Sequence, residues 1–346
     1  MKNLKIVIKL ILFILIGALI FFSITPIFIP KTVSEKSGGY TSIIKGFYNE
    51  SKNSLDVIFI GDSSIYKGVS PIEIWKRTKI TSYNFASPNQ KIWDSYYSIK
   101  EVLQYQKPSV IILNVDQVFN EYPMKDSNRR PLYDNMKFSL NKFNAIMDSI
   151  QKTGFQKKIS YIFPLFRFHS RWSELEDEDF IYAYGKQTYY FKGYRMVNKT
   201  KPYKNGNYMK NNKKNSIIGE NSNLYLKKIK NICKENNIEL LFIEMPSPNT
   251  WSKERNQAVE KWTKDNMIKF IDLNMHLDEI GIDWNRDTQD GGEHLNINGA
   301  EKVSRYVGEY LSKNYQVKIH NTLIEQQWKN DTQIYEDYKD KLRKSK

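Results

Sequence analysis

Residues 10–30 contain no charged side chain, and the central run Ile-Leu-Phe-Ile-Leu-Ile-Gly-Ala-Leu-Ile-Phe-Phe is apolar on every face of a helix. No other feature restricts this chain so much. A surface helix of a soluble domain keeps one polar face, and this segment has none. About 20 such residues cross a bilayer as a helix. Lys2, Lys5 and Lys9 precede the run and favour a cytoplasmic N-terminus, while Lys31 and Lys36 follow it and weaken that bias. A cleaved secretion signal shares this composition. However, the residues near its end, Pro26-Ile27-Phe28-Ile29-Pro30, offer no small-x-small cleavage site. The expectation is an uncleaved single-pass anchor over residues 1–36, in the cell membrane, with the remainder outside the cytoplasm.

That placement decides how the charge is read. The chain of 346 residues has 53 Lys+Arg against 38 Asp+Glu, a net charge of +15. Such a balance suits nucleic acid, an anionic membrane surface or an acidic polymer. Outside the cytoplasm no nucleic-acid partner is expected, which leaves an anionic wall polymer or lipid headgroups. The single cysteine, Cys233, excludes a disulfide framework and any multi-thiolate metal site. It falls on the apolar face of a helical stretch with Leu226, Ile229 and Ile232 and is assigned no chemistry. Four scattered histidines do not suggest a metal cluster, and neither a metal nor an organic cofactor is expected. Asp283-x-Asn285-x-Asp287 opens like a calcium loop. Its sixth and twelfth positions are Thr288 and His294, where such a loop needs Gly and Glu.

Three short β-rich apolar runs, residues 55–60, 110–115 and 238–243, read as strands buried on both faces. Residues 83–86 and 269–273 are shorter candidates. Helical periods alternate with them. Ser70-Pro71-Ile72-Glu73 has the form of a capping box, and Ile92, Tyr96, Ile99 and Leu103 share one face. Ala300, Val303, Val307, Tyr310 and Leu311 line a late helix. This alternation predicts a doubly wound α/β sheet over residues 37–319. Residues from about 120 to 219 break the rhythm and read as a large insertion at the ligand-binding edge, ending in a Lys/Asn-rich solvated loop. Residues 320–346 read as a charged helical tail.

Two segments carry chemistry. The run 57–60 leads straight into Gly61-Asp62-Ser63-Ser64, which leaves Ser63 at the carboxyl end of the first strand, where open α/β sheets place their ligands. Far downstream, Asp287-Thr-Gln-Asp290-Gly-Gly-Glu-His294-Leu-Asn-Ile-Asn-Gly-Ala puts a histidine on a Gly-Gly loop ahead of the last periodic helix. A histidine oriented by a nearby carboxylate can take a proton from a serine. In the insertion, His169 lies between Arg167 and Arg171 and is a candidate contact for an anionic substrate. His276 and His320 read as structural or exposed.

Taken together, the strand–Gly-Asp-Ser segment and the Asp…His-Leu-Asn loop resemble the SGNH/GDSL hydrolase superfamily over about 54–119 and 237–311. With the anchor, the chain is most similar to the membrane-tethered, DltD-like subgroup. The resemblance implies a flavodoxin-like three-layer α/β/α sandwich. It implies a serine esterase or O-acyltransferase acting on acyl esters of a cell-surface glycan or glycopolymer, without a cofactor. A membrane-bound O-acyltransferase is an implied partner. The alternative is a non-catalytic accessory protein that binds the polymer or docks on that enzyme. Ser63 matches the nucleophile and His294 the base. The family's Asp-x-x-His spacing falls on Gly291, which leaves Asp290 as the favoured acid and Asp287 as the alternative. Asn89 matches the second oxyanion position by its backbone, and Gln117 stands for the third.

Overall fold

The computed structural model describes residues 2–31, 40–149, 154–184, 189–211, 215–316 and 320–344. The boundaries placed at residues 36 and 319 lie outside these. Five strands form one parallel sheet in the order β2-β1-β3-β4-β5: β1 Val57–Gly61, β2 Ser82–Ala86, β3 Val110–Asn114, β4 Glu239–Glu244 and β5 Lys269–Asp272. All five correspond to the runs picked out above. Every residue of β1, β2 and β3 is buried; β1 is apolar on both sides, whereas β2 buries Ser82 and Asn84, the latter with its amide donating to Val69 O (2.7 Å), and β3 ends in buried Asn114.

The chain passes from β1 outward to β2, then crosses back to β3 on the other side of β1. A right-handed crossover therefore puts the β1–β2 helices on one face and the β2–β3 helix on the opposite face. Helix Pro71–Thr78 packs with Ile297–Asn314, and helix Ile92–Val102 with Glu220–Glu235. The result is a doubly wound α/β/α sandwich. Its topological switch point lies between the carboxyl ends of β1 and β3, where such sheets open a crevice.

The N-cap at Ser70 forms as read, with its Oγ accepting from the Glu73 N–H (3.4 Å) and Pro71 at the first helical position. The box does not close. The Ser70 N–H donates to Ser304 Oγ (2.7 Å), and the Glu73 carboxylate binds Lys76 and Lys339 instead. The tail helix Thr322–Lys344 packs on Pro71–Thr78 through fully buried Trp328 and Tyr335.

The insertion leaves the sheet after β3. Its helices Asp126–Tyr133, Leu140–Ser149, Phe155–Ile162, Leu165–Phe168 and Asp177–Tyr184 lead away toward the N-terminal helix Lys2–Phe28. Residues 189–203 then return as a strap over the sheet's carboxyl edge. Arg195 N–H donates to Tyr66 O (2.6 Å), Ile297 N–H to Val197 O (2.9 Å) and Lys201 N–H to Thr288 O (3.0 Å). The Lys/Asn stretch thus exposes side chains such as Lys199, Lys201 and Lys204, while the backbone at Lys201 is tied to the sheet edge and Tyr208 is buried.

Candidate active site

β1 ends at Gly61 because nothing larger fits there. A Cβ on Gly61 would lie 2.7 Å from the Asn114 Cβ at the end of β3. Asp62 follows as the N-cap of helix Ser63–Gly68, its Oδ1 accepting from the Ser64 N–H (2.9 Å). This cap fixes the first turn and holds Ser63, half-buried, at the switch point. Among the described residues the Ser63 N–H has no acceptor, as befits the first helical position.

His294 comes from the loop before helix Ile297–Asn314. Thr288 and Leu295 pair across the base of that loop, and the Thr288 hydroxyl donates to His294 O (3.0 Å) while accepting from the Gly292 N–H (2.8 Å). Gly292 sits at φ 104°, a conformation that favours glycine, and a Cβ there would lie only 3.0 Å from Tyr203 Cδ2 and 3.1 Å from Pro248 Cγ. The turn curls Asp290 back over the loop. Its Oδ1 accepts from the backbone N–H groups of His294 (2.8 Å) and Glu293 (3.1 Å), and its Oδ2 meets His294 Nδ1 at 2.6 Å. The other ring nitrogen, Nε2, lies 2.7 Å from Ser63 Oγ.

Ser63, His294 and Asp290 therefore form one hydrogen-bonded chain, although 231 residues separate the first two. With Asp290 an acceptor on Nδ1–H, the neutral ring keeps Nε2 free to accept the serine proton. Burial pushes the Asp290 carboxyl up. The hydrogen bonds from the His294 ring and backbone N–H, with the His294 charge, outweigh burial and hold it below the ordinary carboxylate range. Asp290, Glu293 and His294 are also close enough to offer ligands to one ion. Both imidazole nitrogens are already used by Asp290 and Ser63, so no metal role follows.

Other expected residues stand elsewhere. Asp287 does not reach the histidine: its Oδ2 accepts from Lys302 Nζ (2.6 Å) and the Asp283 N–H (2.7 Å), closing a turn beneath the loop. Gln117 is not an available oxyanion donor. Its side-chain amide donates to Asp62 Oδ2 (2.9 Å) and Asp116 Oδ2 (3.0 Å), which uses both N–H bonds. Asn89 is exposed with φ 50°, on a loop held to β1 by Ser87 N–H donating to Gly61 O (3.2 Å). Arg167 pairs with Asp126, Arg171 with Asp179 and Phe28 O, and His169 Nδ1 faces Phe166 O; none of the three touches Ser63, His294 or Asp290 among the described residues. Of the three, Arg171 reaches the N-terminal helix, and the other two are held within the insertion.

Sequence reasoning missed the polar layer under Ser63. Lys91 Nζ donates to Gln117 Oε1 (2.7 Å), so a buried Lys91–Gln117–Asp62 chain braces the N-cap. Burial lowers the Lys91 pKa against the pull of Asp62, Asp94 and Asp116. Burial and repulsion from Asp62 push Asp116 up to about 6, while Arg255 and Lys91 oppose them. Glu244, at the end of β4, has no partner for either carboxyl oxygen among the described residues. Burial, then the charges of Asp116, Asp272 and Asp62, raise its pKa well above the ordinary carboxylate range. Of this layer the sequence singled out Asp62, next to a helix start, and Gln117, in a different role; Lys91, Asp116 and Glu244 left no trace.

No protein-family model matches the sequence, and no curated protein matches it. Solved structures do align with the fold. A GDSL-like lipase from Bacteroides thetaiotaomicron aligns at 9% identity and TM-score 0.37, over 80% of this chain and 98% of its own. A lipase/acylhydrolase from Enterococcus faecalis aligns at 10% identity and TM-score 0.34, over 77% of this chain and 100% of its own. What the site does is read from its own geometry.

Proposed function

We propose that the protein is a serine-dependent esterase or O-acyltransferase of SGNH type, held to the cell membrane by its N-terminal helix and acting outside the cytoplasm. The carrying observation is the Ser63–His294–Asp290 chain at the switch point of the sheet. Ser63 Oγ attacks the acyl carbonyl as His294 Nε2 takes its proton, and Asp290 stabilises the imidazolium. The Ser63 and Asn89 backbone N–H groups serve the oxyanion. The departing alkoxide takes the proton from His294, leaving an acyl-serine. Water then releases a carboxylic acid, or a sugar hydroxyl accepts the acyl group; His294 activates either one.

Substrate and setting follow from charge and anchor. A net charge of +15 suits acyl esters carried on an anionic cell-surface glycan or glycopolymer. Helix Lys2–Phe28 has the length and apolarity to cross a membrane. A membrane-bound O-acyltransferase of the DltD-like setting is the partner we infer. One observation favours a second reading, a non-catalytic accessory protein: Gln117, at the third oxyanion position, is committed to Asp62 and Asp116. Losing one such donor costs about 3–4 kcal/mol of transition-state stabilisation.

A serine-reactive fluorophosphonate decides between them. The full chain in detergent should be labelled, and Ser63→Ala should not be. Absence of labelling in the folded wild type refutes the catalytic reading.

A further inference from the structure

The uncharged run over residues 10–30 leaves no slack in a bilayer. Its nineteen helical residues, 10–28, rise about 28 Å, and the hydrocarbon core is about 30 Å thick. Yet the insertion holds this helix well before its end at Phe28. The Phe21 ring packs on Phe166 (5.5 Å between centroids) and Phe163 (5.9 Å), and Phe22 on Phe138 (6.0 Å). The Tyr184 hydroxyl donates to Ser23 O (2.5 Å), and Arg171 to Phe28 O (2.7 Å). Phe22 lies six residues before Phe28, about 9 Å down the helix. Side chains that touch Phe21 and Phe22 share their depth.

Of the side chains that meet the helix there, Phe166 and Tyr184 are left open by the protein, and so are other large apolar side chains of the same segment. Phe155, Phe166, Trp172, Phe180, Ile181 and Tyr184 are all exposed, Trp172 at 73%. A cavity of about 520 Å³ between the helix end and the domain has an apolar wall of Phe22, Pro26, Ile29 and Phe138 and a polar wall of Lys45, Asp134, Lys137 and Lys142, suited to an acyl chain and its headgroup respectively. Aromatic rings with an indole N–H or hydroxyl tip, here Trp172 and Tyr184, are the side chains that settle at a bilayer's headgroup boundary, with Phe and Ile below them. Charge does not point to an anionic polymer here: Glu174, Glu176, Asp177 and Glu178 stand in the same segment as Lys157, Lys158 and Arg167.

We propose that residues 155–184 form a membrane-seated collar around the outer end of the N-terminal helix, with their aromatic face sunk into the outer leaflet of the bilayer. Lipid covers the open face and fills the cavity. The collar prevents the domain from swivelling on the helix end, so the mouth over Ser63 keeps one orientation to the membrane. This inference rests on the anchoring part of the proposed function, not on its catalysis.

The test uses the full chain in phosphatidylcholine proteoliposomes, with lipids brominated near the headgroup end of their chains. The emission lost in Trp172→Phe gives Trp172's share. Phe13→Trp, near the inner end of the apolar run and so at the depth of the inner leaflet's bromines, reports insertion of the helix itself. Quenching of Phe13→Trp together with loss of roughly half of Trp172's share is the expected result. Phe166→Trp, placed against Phe21, should be quenched at least as strongly. Quenching of Phe13→Trp with Trp172 and Phe166→Trp both unquenched overturns the collar and assigns that face to a protein partner. An unquenched Phe13→Trp overturns the anchor and the collar with it. None of these readouts depends on whether Ser63 is catalytic.

Discussion

Replacing Asp290 by asparagine tests the hydrogen-bonded chain with a single atom change, and the loop dictates which way the new amide must face. Asp290 Oδ1 accepts two backbone N–H groups, from His294 at 2.8 Å and Glu293 at 3.1 Å. An amide NH₂ in that place would set donors against donors. The carbonyl oxygen of the introduced amide must therefore keep the Oδ1 position, which turns its NH₂ toward His294 Nδ1. Nδ1 becomes the acceptor, and the ring's proton moves to Nε2, facing Ser63 Oγ. In that tautomer the histidine cannot take the serine proton, and the imidazolium also loses its counter-charge. In serine proteases the corresponding change lowers kcat about 10⁴-fold, or about 5.5 kcal/mol. With Asp290 one-third exposed, a loss of about 10³–10⁴-fold in kcat is expected here. The assay is hydrolysis of a short p-nitrophenyl ester by the full chain in detergent, with circular dichroism to establish folding. Asp287→Asn is the control: it breaks the Lys302 pair and should lower thermal stability while leaving kcat within about threefold. A folded Asp290→Asn enzyme within about tenfold of wild type would refute the tautomer argument.

Ser63→Ala should abolish ester hydrolysis and Ser64→Ala should retain most of it, because only Ser63 lies within reach of His294; equal activity in the two variants would remove Ser63 from the chemistry. Gly61→Ala should destabilise the protein by about 1–3 kcal/mol in chemical denaturation and reduce activity, since the added methyl falls 2.7 Å from the Asn114 Cβ. Lys142 tests burial through pH. Burial lowers its pKa to about 8, against the pull of Asp134 and Glu101, whereas the unfolded chain titrates near 10.4. Between about pH 8 and 10.4 the unfolded state holds the extra proton, so this lysine should make stability rise with pH across that window. Lys142→Met should remove that rise in thermal midpoint, and an unchanged pH profile would show that the lysine is solvated in the folded state.

Much of this protein is legible in its amino-acid order. A strand buried on both faces is mostly apolar, so β1, β3 and β4 appear as short β-rich runs with no structure needed, while β2, which buries Ser82 and Asn84, is fainter. The N-terminal helix is legible for the same reason, since a uniformly apolar segment of that length has few alternatives. Ser63 follows from a local grammar of strand, glycine and capped turn. Choosing between Asp290 and Asp287 needed the fold. Spacing along the chain does not say which carboxylate a Gly-Gly turn swings back onto the ring, and the backbone N–H groups of Glu293 and His294 decide it by capturing one oxygen of Asp290. Gln117 looked free because nothing local opposes it. Its partners, Asp62, Asp116 and Lys91, converge only when three different strand ends come together. Arg167, His169 and Arg171 looked like an anion site because they are cationic neighbours in sequence. The tertiary structure commits the two arginines to Asp126, Asp179 and the end of the N-terminal helix. Apolar periodicity is a property of one element and its burial, so the chain displays it directly; the partner of a polar group is a property of the places where distant elements meet, and only their packing determines it.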